Sequence, residues 1–287
     1  MLALRPRVVR AIAGKELRSF LGNPTGYVFL TLFIGTSAAA AFLDDSFFGR
    51  NLADLATLNR YIAWILMFFV PAITMSTWAE ERRAGTDELL LTLPVRDGEV
   101  VFGKYLGALG VYTVGLVFSL ANLAVLMYLG EPDMGLIFAN YLGYWLMGGL
   151  FVAVGMVGSM FTANATVAFI LGALGCAGLV FAGAWPWSAG IVGTLVFAAV
   201  ASLTWLVATG VARGVAIAAL IGGVLGLAAW LGGLWPGFAE AFSHLSALEH
   251  VAWFGQGIVR LGDVAFFAGG SAIALVLCSL LLNRRHW

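Results

Sequence analysis

Eight long apolar runs constrain everything else in this chain: Tyr27–Leu43, Tyr61–Trp78, Tyr105–Leu129, Ile137–Phe161, Thr166–Ala184, Trp187–Thr209, Gly214–Trp235 and Val264–Leu282. A bilayer core about 30 Å thick takes roughly 20 apolar residues in a helix. The runs match that length and fill more than half of the 287 residues. They are continuous rather than alternating, which excludes a β-barrel. Only 10% of the residues are charged, against about 25% in an ordinary soluble domain. A polar skin cannot be built from so few charges. A soluble enzyme, a disordered chain and a nucleic-acid-binding domain are therefore excluded. The expected fold is all-α and polytopic, with about eight spans in a single transmembrane domain over residues 1–287.

The charges set the expected orientation. Net charge is zero, with 15 Lys plus Arg against 15 Asp plus Glu. Their placement is uneven. With the N-terminus in the cytoplasm, twelve of the basic residues fall inside and only Arg50, Arg60 and Arg260 outside. That bias predicts cytoplasmic N- and C-termini. Trp185, Trp187 and Trp235 then fall at outer ends, and Trp78 and Trp287 at inner ends, as expected of interfacial belts. The basic N-terminus is spread over many residues and no A-x-A-like site follows the first run, so it does not read as a cleaved signal peptide.

None of the eight runs contains Asp, Glu, Lys, Arg or His. Ion-coupled carriers usually place ionisable groups inside the bilayer. Energy, if used, is expected to enter from outside it. Cys176 and Cys278 each lie within an apolar run and read as packing residues. The pairs Gly103-x-x-x-Gly107 and Gly222-x-x-x-Gly226 let helices approach closely. Packing within the chain is the favoured reading, and a subunit interface the other.

Outside the runs, residues 6–22 read as an amphipathic surface helix. Pro6 suits its first turn, Lys15 and Arg18 its last turns, Gly22 its C-terminal end, and Asn23-Pro24 a stop. Such a basic helix lies along the inner membrane face. Residues 79–104 form the most structured loop. The second span should continue past the bilayer, with Arg82 and Arg83 in its last turn and Gly85 ending it. Thr86 can cap a short helix that carries Asp87 and Glu88 first, then Leu89, Leu90, Leu91 and Leu93. Pro94 ends that helix, and Asp97 can cap the next. An apolar helix held there needs a burial partner, either under the bundle or on another protein. The outer loop, residues 236–263, reads as amphipathic. His244, Glu249 and His250 within it suit that bland role better than a metal site.

Two motifs fail on inspection. Gly98-Glu-Val-Val-Phe-Gly103-Lys104-Tyr105 lacks the Ser or Thr that a phosphate-binding loop needs after its lysine. No ATPase site is expected, and the chain reads as no enzyme. Glu80-Glu81 approaches an intramembrane-protease pattern, but Gly85 stands at the arginine position and no span holds a histidine.

The chain resembles ABC-2 type transporter permeases, closest to the gliding-motility type. The resemblance rests on Lys15-Glu16-Leu17-Arg18 with Asn23-Pro24 and Tyr27. It continues through Pro71–Met75, Ala79-Glu80-Glu81-Arg82, Gly85-Thr86, Glu88-Leu89-Leu90 and Thr92-Leu93-Pro94. Gly103-Lys104, Leu129-Gly130-x-x-Asp133-x-Gly135 and the closing Arg284–Trp287 complete it. Asp87 stands where relatives carry an apolar residue, and Ser76-Thr77 replaces a more basic pair.

The resemblance implies a type V exporter-like six-helix core. Residues 27–184 would hold its first five spans, 187–235 an added helix pair, and 264–287 the last span and basic tail. It implies a permease subunit that moves a substrate outward across the inner membrane of a prokaryote. Two copies of a separate cytoplasmic ATPase would supply the energy, with ATP and magnesium held by that partner and no cofactor here. A second permease chain, identical or different, completes the assembly. Residues 6–22 correspond to a connector helix bearing Lys15, Glu16 and Arg18. Residues 86–93 correspond to a coupling helix, so the ATPase-coupling residues are Glu80, Glu81, Arg82, Gly85, Thr86, Glu88, Leu89 and Leu90. A gradient-driven secondary carrier, or a non-transporting anchor for an ATPase, are the alternatives.

Overall fold

The computed structural model of the chain describes residues 5–43, 54–86, 95–182, 185–209, 214–232 and 237–283, and every regular element among them is helical. In order these are α1 (Pro6–Leu21), α2 (Pro24–Phe42), α3 (Ala56–Thr74), α4 (Ser76–Ala84), α5 (Asp97–Ser119), α6 (Ala121–Leu129) and α7 (Met134–Ser159). They continue with α8 (Ala165–Phe181), α9 (Pro186–Thr209), α10 (Val215–Leu231), α11 (Phe238–Ser243), α12 (Ala247–Gly255) and α13 (Leu261–Asn283). Each apolar run coincides with one of these helices or with an abutting pair. By length and composition, four stretches among the described residues can cross a membrane: 56–84, 97–129, 134–159 and 261–283. The bent pair α1–α2, turning through 78°, makes a fifth if it counts as one span. The chain is therefore a multi-pass membrane protein of all-α class.

The helices fall into two compact units. One holds residues 1–176 and 250–287, the other 177–249. In the first, α7 is the central post, packed by α3, α5 and α13. Met147, Phe151, Val152, Ala153 and Met156 along it are all but inaccessible. Glycines set how closely its neighbours approach. A Cβ on Gly155 would collide with the Thr74 hydroxyl of α3, and one on Gly270 of α13 would lie 2.9 Å from Leu150. At Gly148 a Cβ would collide with the Cε1–Cζ edge of Tyr112 on α5, whose hydroxyl donates to the Tyr144 carbonyl at 2.8 Å. Overpacking of this kind costs about 1–3 kcal/mol. Gly148→Ala is therefore expected to lower the thermal unfolding midpoint of the purified protein in detergent. Gly269→Ala, with open space around its Cβ, should leave the midpoint unchanged.

Local chemistry explains the helix ends. Pro6 opens α1 at a position whose N–H would be unpaired anyway. Asp133 caps α7, accepting the N–H groups of Gly135 at 2.8 Å and Leu136 at 3.2 Å. At α5 the sequence expectation is corrected. Asp97 is the first helical residue rather than the cap, and the Glu99 carboxylate reaches back to the Arg96 N–H at 3.1 Å. Glu99 wins because a carboxylate at the third helical position can close on the capping residue's own backbone. In α3, Pro71 has no N–H to offer the preceding turn, yet helix resumes after Met75 as α4. The helical path thus runs past the apolar stretch to Ala84, as the sequence predicts.

The second unit is built on the antiparallel neighbours α9 and α10. Gly222 and Gly226 of α10 sit against Ala198 and Thr194 of α9, close enough that a Cβ would meet backbone. This glycine pair therefore serves packing within the chain. The residues read as an added helix pair lie in this unit.

Candidate functional site

At one end of the first unit the chain gathers most of its described ion pairs. Gly103 and Gly107 make this possible. They face α1, and a Cβ on Gly107 would lie 2.5 Å from the Glu16 Cβ and 3.1 Å from the Ala13 carbonyl oxygen. A Cβ on Gly103 would lie 2.8 Å from the Ile12 Cβ. Two glycines one turn apart cut a groove in α5, and α1 lies in it. The pair thus packs within the chain, and Val9 and Glu16 of α1 are held against the third apolar run. The N-terminal helix accordingly lies against α5 rather than only on a membrane face.

Lys104 is the centre of this end. Its side chain is 1% exposed. The ammonium reaches Glu16 of α1 at 3.1 Å, Glu81 of α4 at 2.9 Å and the Thr77 carbonyl of α4 at 2.8 Å. It donates hydrogen bonds to Glu16 and to the Thr77 carbonyl, and pairs with Glu81 by charge. The ring of Trp78 lies beneath it at 4.7 Å. Trp78 is therefore buried under a cation, and a desolvated ammonium gains from an aromatic face. Lys15 of α1 joins Glu81 at 3.2 Å from the exposed side. One lysine thus ties α5 simultaneously to α1 and α4.

A second pair locks the start of α1. Arg5 meets Glu99 at 2.7 Å through its guanidinium, and its own backbone N–H donates to the same carboxylate at 2.9 Å. Glu99 is fully buried and Arg5 half exposed. The hydrogen bond to Glu99 raises the Arg5 guanidinium above its already high ordinary value, partial desolvation opposes that rise, and the neighbouring carboxylate charge adds to it. Buried charges near the ends of apolar helices survive here because each has a partner.

Most of the residues singled out from sequence converge. Lys15, Glu16 and Glu81 join the cluster. Arg82 donates to the Met160 carbonyl at the end of α7. Gly85 takes a left-handed conformation, φ 66°, and its N–H returns to the Arg82 carbonyl, so α4 ends where the sequence places its stop. The Thr86 hydroxyl donates to the Glu81 carbonyl at 3.3 Å. Glu80 stays exposed beside the cluster, and Arg18 is exposed on α1. Glu88, Leu89 and Leu90, with the rest of 87–94, lie outside the described residues. Arg5 and Glu99 were missed as a pair. The signal available was a carboxylate at the third position of a long apolar helix, on the side that packs and so in need of a partner.

At the opposite end of the same unit, α12 is held to α13 by His250 Nδ1 and Asp263 Oδ1 at 2.6 Å, with the imidazole stacked on Phe266 at 3.9 Å. The partner of His250 is thus a carboxylate on the next helix.

The fold and this charged end define a class: a polytopic helical membrane protein whose ionic contacts gather where its first helix meets two spans. A family model described as ABC-2 family transporter protein matches residues 52–221, more than half of the chain. The chain belongs to that family and is a transporter permease. Among curated proteins, no sequence matches it.

Proposed function

We propose that this chain is the permease subunit of an ATP-driven exporter in the cytoplasmic membrane of a prokaryote, with both termini cytoplasmic. A separate cytoplasmic ATPase, in two copies, drives a pair of permease chains. ATP and magnesium stay on that partner. One observation carries the reading. The segment 86–93, proposed to seat on the ATPase, follows directly on α4, and α4 is joined through Glu81 and Lys104 to α1 and α5.

A push on 86–93 therefore reaches three elements at once: α4 through the backbone, α5 through Lys104, and α1 through Glu16. Arg82 passes the same displacement to the end of α7. Closure of the ATPase copies on ATP would tilt this end of each permease chain and change access along the path between the two chains. The twelve-to-three distribution of basic residues supports the orientation.

The test is co-expression with the ATPase proposed as its partner. The ATPase is expected to co-purify with the wild-type chain and to be lost with Glu81→Ala combined with Leu89→Asp, in protein that remains monodisperse in detergent. Tight association of the double variant would overturn the docking assignment.

A further inference from the structure

Beside the Lys104 cluster lies a cavity of about 250 Å³ enclosed by α1, α2, the α3–α4 junction and α5. One wall is polar: Lys15, Glu16, Ser19, Ser76, Glu80 and Glu81. The other is apolar, with Phe20, Phe29, Ile73 and Val111, and these four also line a narrow apolar crevice that leads on toward Leu30, Phe33 and Phe69. The cavity is thus two-natured, polar at one end and continuous with hydrocarbon-like side chains at the other.

Its charges are not balanced. Lys15 and Lys104 match Glu16 and Glu81, and Glu80 remains as one negative charge in excess. The second Glu81 oxygen, Oε2, is buried and has no hydrogen-bond partner among the described residues. Glu81 Oε1 by contrast accepts from Lys15 and lies 2.9 Å from the Lys104 ammonium. A buried carboxylate oxygen left without a donor is costly. The complement of this site is a cation that donates hydrogen bonds and carries an apolar body.

We propose that the cavity binds the primary ammonium of an amphiphile, the headgroup of an aminophospholipid. The ammonium seats against the Glu80 and Glu81 side chains that line the cavity, and the apolar part lies along Phe29 and Ile73. A quaternary headgroup has no N–H to give these carboxylates, and an anionic one meets the excess negative charge. The site therefore separates phosphatidylethanolamine from phosphatidylcholine and phosphatidylglycerol. Placement of this end at the inner leaflet rests on the orientation proposed above, whereas the cavity and its charges do not.

The experiment reconstitutes the full chain, without any ATPase, in nanodiscs of equal phosphatidylethanolamine, phosphatidylcholine and phosphatidylglycerol. Native mass spectrometry then reads the lipid retained on release. Phosphatidylethanolamine is expected to be enriched about tenfold over the other two, the worth of one charge-assisted hydrogen bond. Glu80→Gln should reduce that enrichment severalfold. Ser19→Trp, which fills the cavity and keeps its charges, should abolish it. A parallel arm adds soluble glycerophosphoethanolamine. Its retention in place of the lipid supports ammonium recognition and assigns the source to the aqueous phase. Retention in the bulk ratio, or preference for phosphatidylglycerol, overturns the proposal. Because no ATPase is present, failure here leaves the docking test intact, and the reverse holds equally.

Discussion

Lys104→Met is expected to be the most damaging single substitution at the charged end. It removes the one cation that Glu16 and Glu81 share within the bundle and leaves the Thr77 carbonyl without its donor. Removing one member of a buried pair typically costs about 3–5 kcal/mol, because the remaining charge stays desolvated. Here two carboxylates are affected, although Lys15 still screens Glu81 from the exposed side. The measurement is thermal unfolding of purified protein in detergent, together with yield in the membrane fraction. The triple change Lys104→Met, Glu16→Gln, Glu81→Gln should recover much of the lost stability, since it removes the stranded charges. Recovery without any return of ATPase association would separate folding from coupling. Unfolding of Lys104→Met at the wild-type midpoint would show that the lysine is not the structural hub described.

Gly107→Leu is expected to lift α1 out of its groove. Even a Cβ there would sit 2.5 Å from the Glu16 Cβ, and a leucine side chain has no way round the Ala13 carbonyl. The helix must move, and Glu16 moves with it, away from Lys104. Limited trypsin digestion reads this directly, because Arg10 and Arg18 lie on α1. The wild-type helix should resist cleavage, and the variant should be cut there several times faster. Gly110→Ala is the matched control, since its Cβ would meet only Leu17 Cδ1 at an ordinary 3.5 Å. Equal cleavage of Gly107→Leu and wild type would mean that α1 is not seated as described.

Much of this was legible in the residues, because hydrophobic length and punctuation act locally. Pro6, Gly85 and the apolar runs each specify structure within a few neighbours, and each lands where local chemistry puts it. The glycine spacing at 103 and 107 announced a close helix contact but not its partner, since a groove does not name what fills it. The ionic cluster was legible only in part. Lys15, Glu16, Glu81 and Arg82 stood out in a motif-like stretch. Arg5 and Glu99 did not, because their meaning lies in a pairing across the chain, and counting basic residues by loop assigned Arg5 only to a side. The burial of Trp78 was hidden for the same reason. Its surroundings are set by a lysine on another helix.

The Arg5–Glu99 pair also bears on how the protein is made. The two residues are 94 positions apart. At about 5–20 residues per second, a ribosome needs on the order of 5–20 s to pass from one to the other. During that interval α1 lacks its groove and the partners of Arg5 and Glu16, since Gly103, Lys104 and Gly107 are also still unmade. The N-terminal helix is thus synthesised first but seated late. In biogenesis, the arrival of the third apolar helix is the event that seats α1.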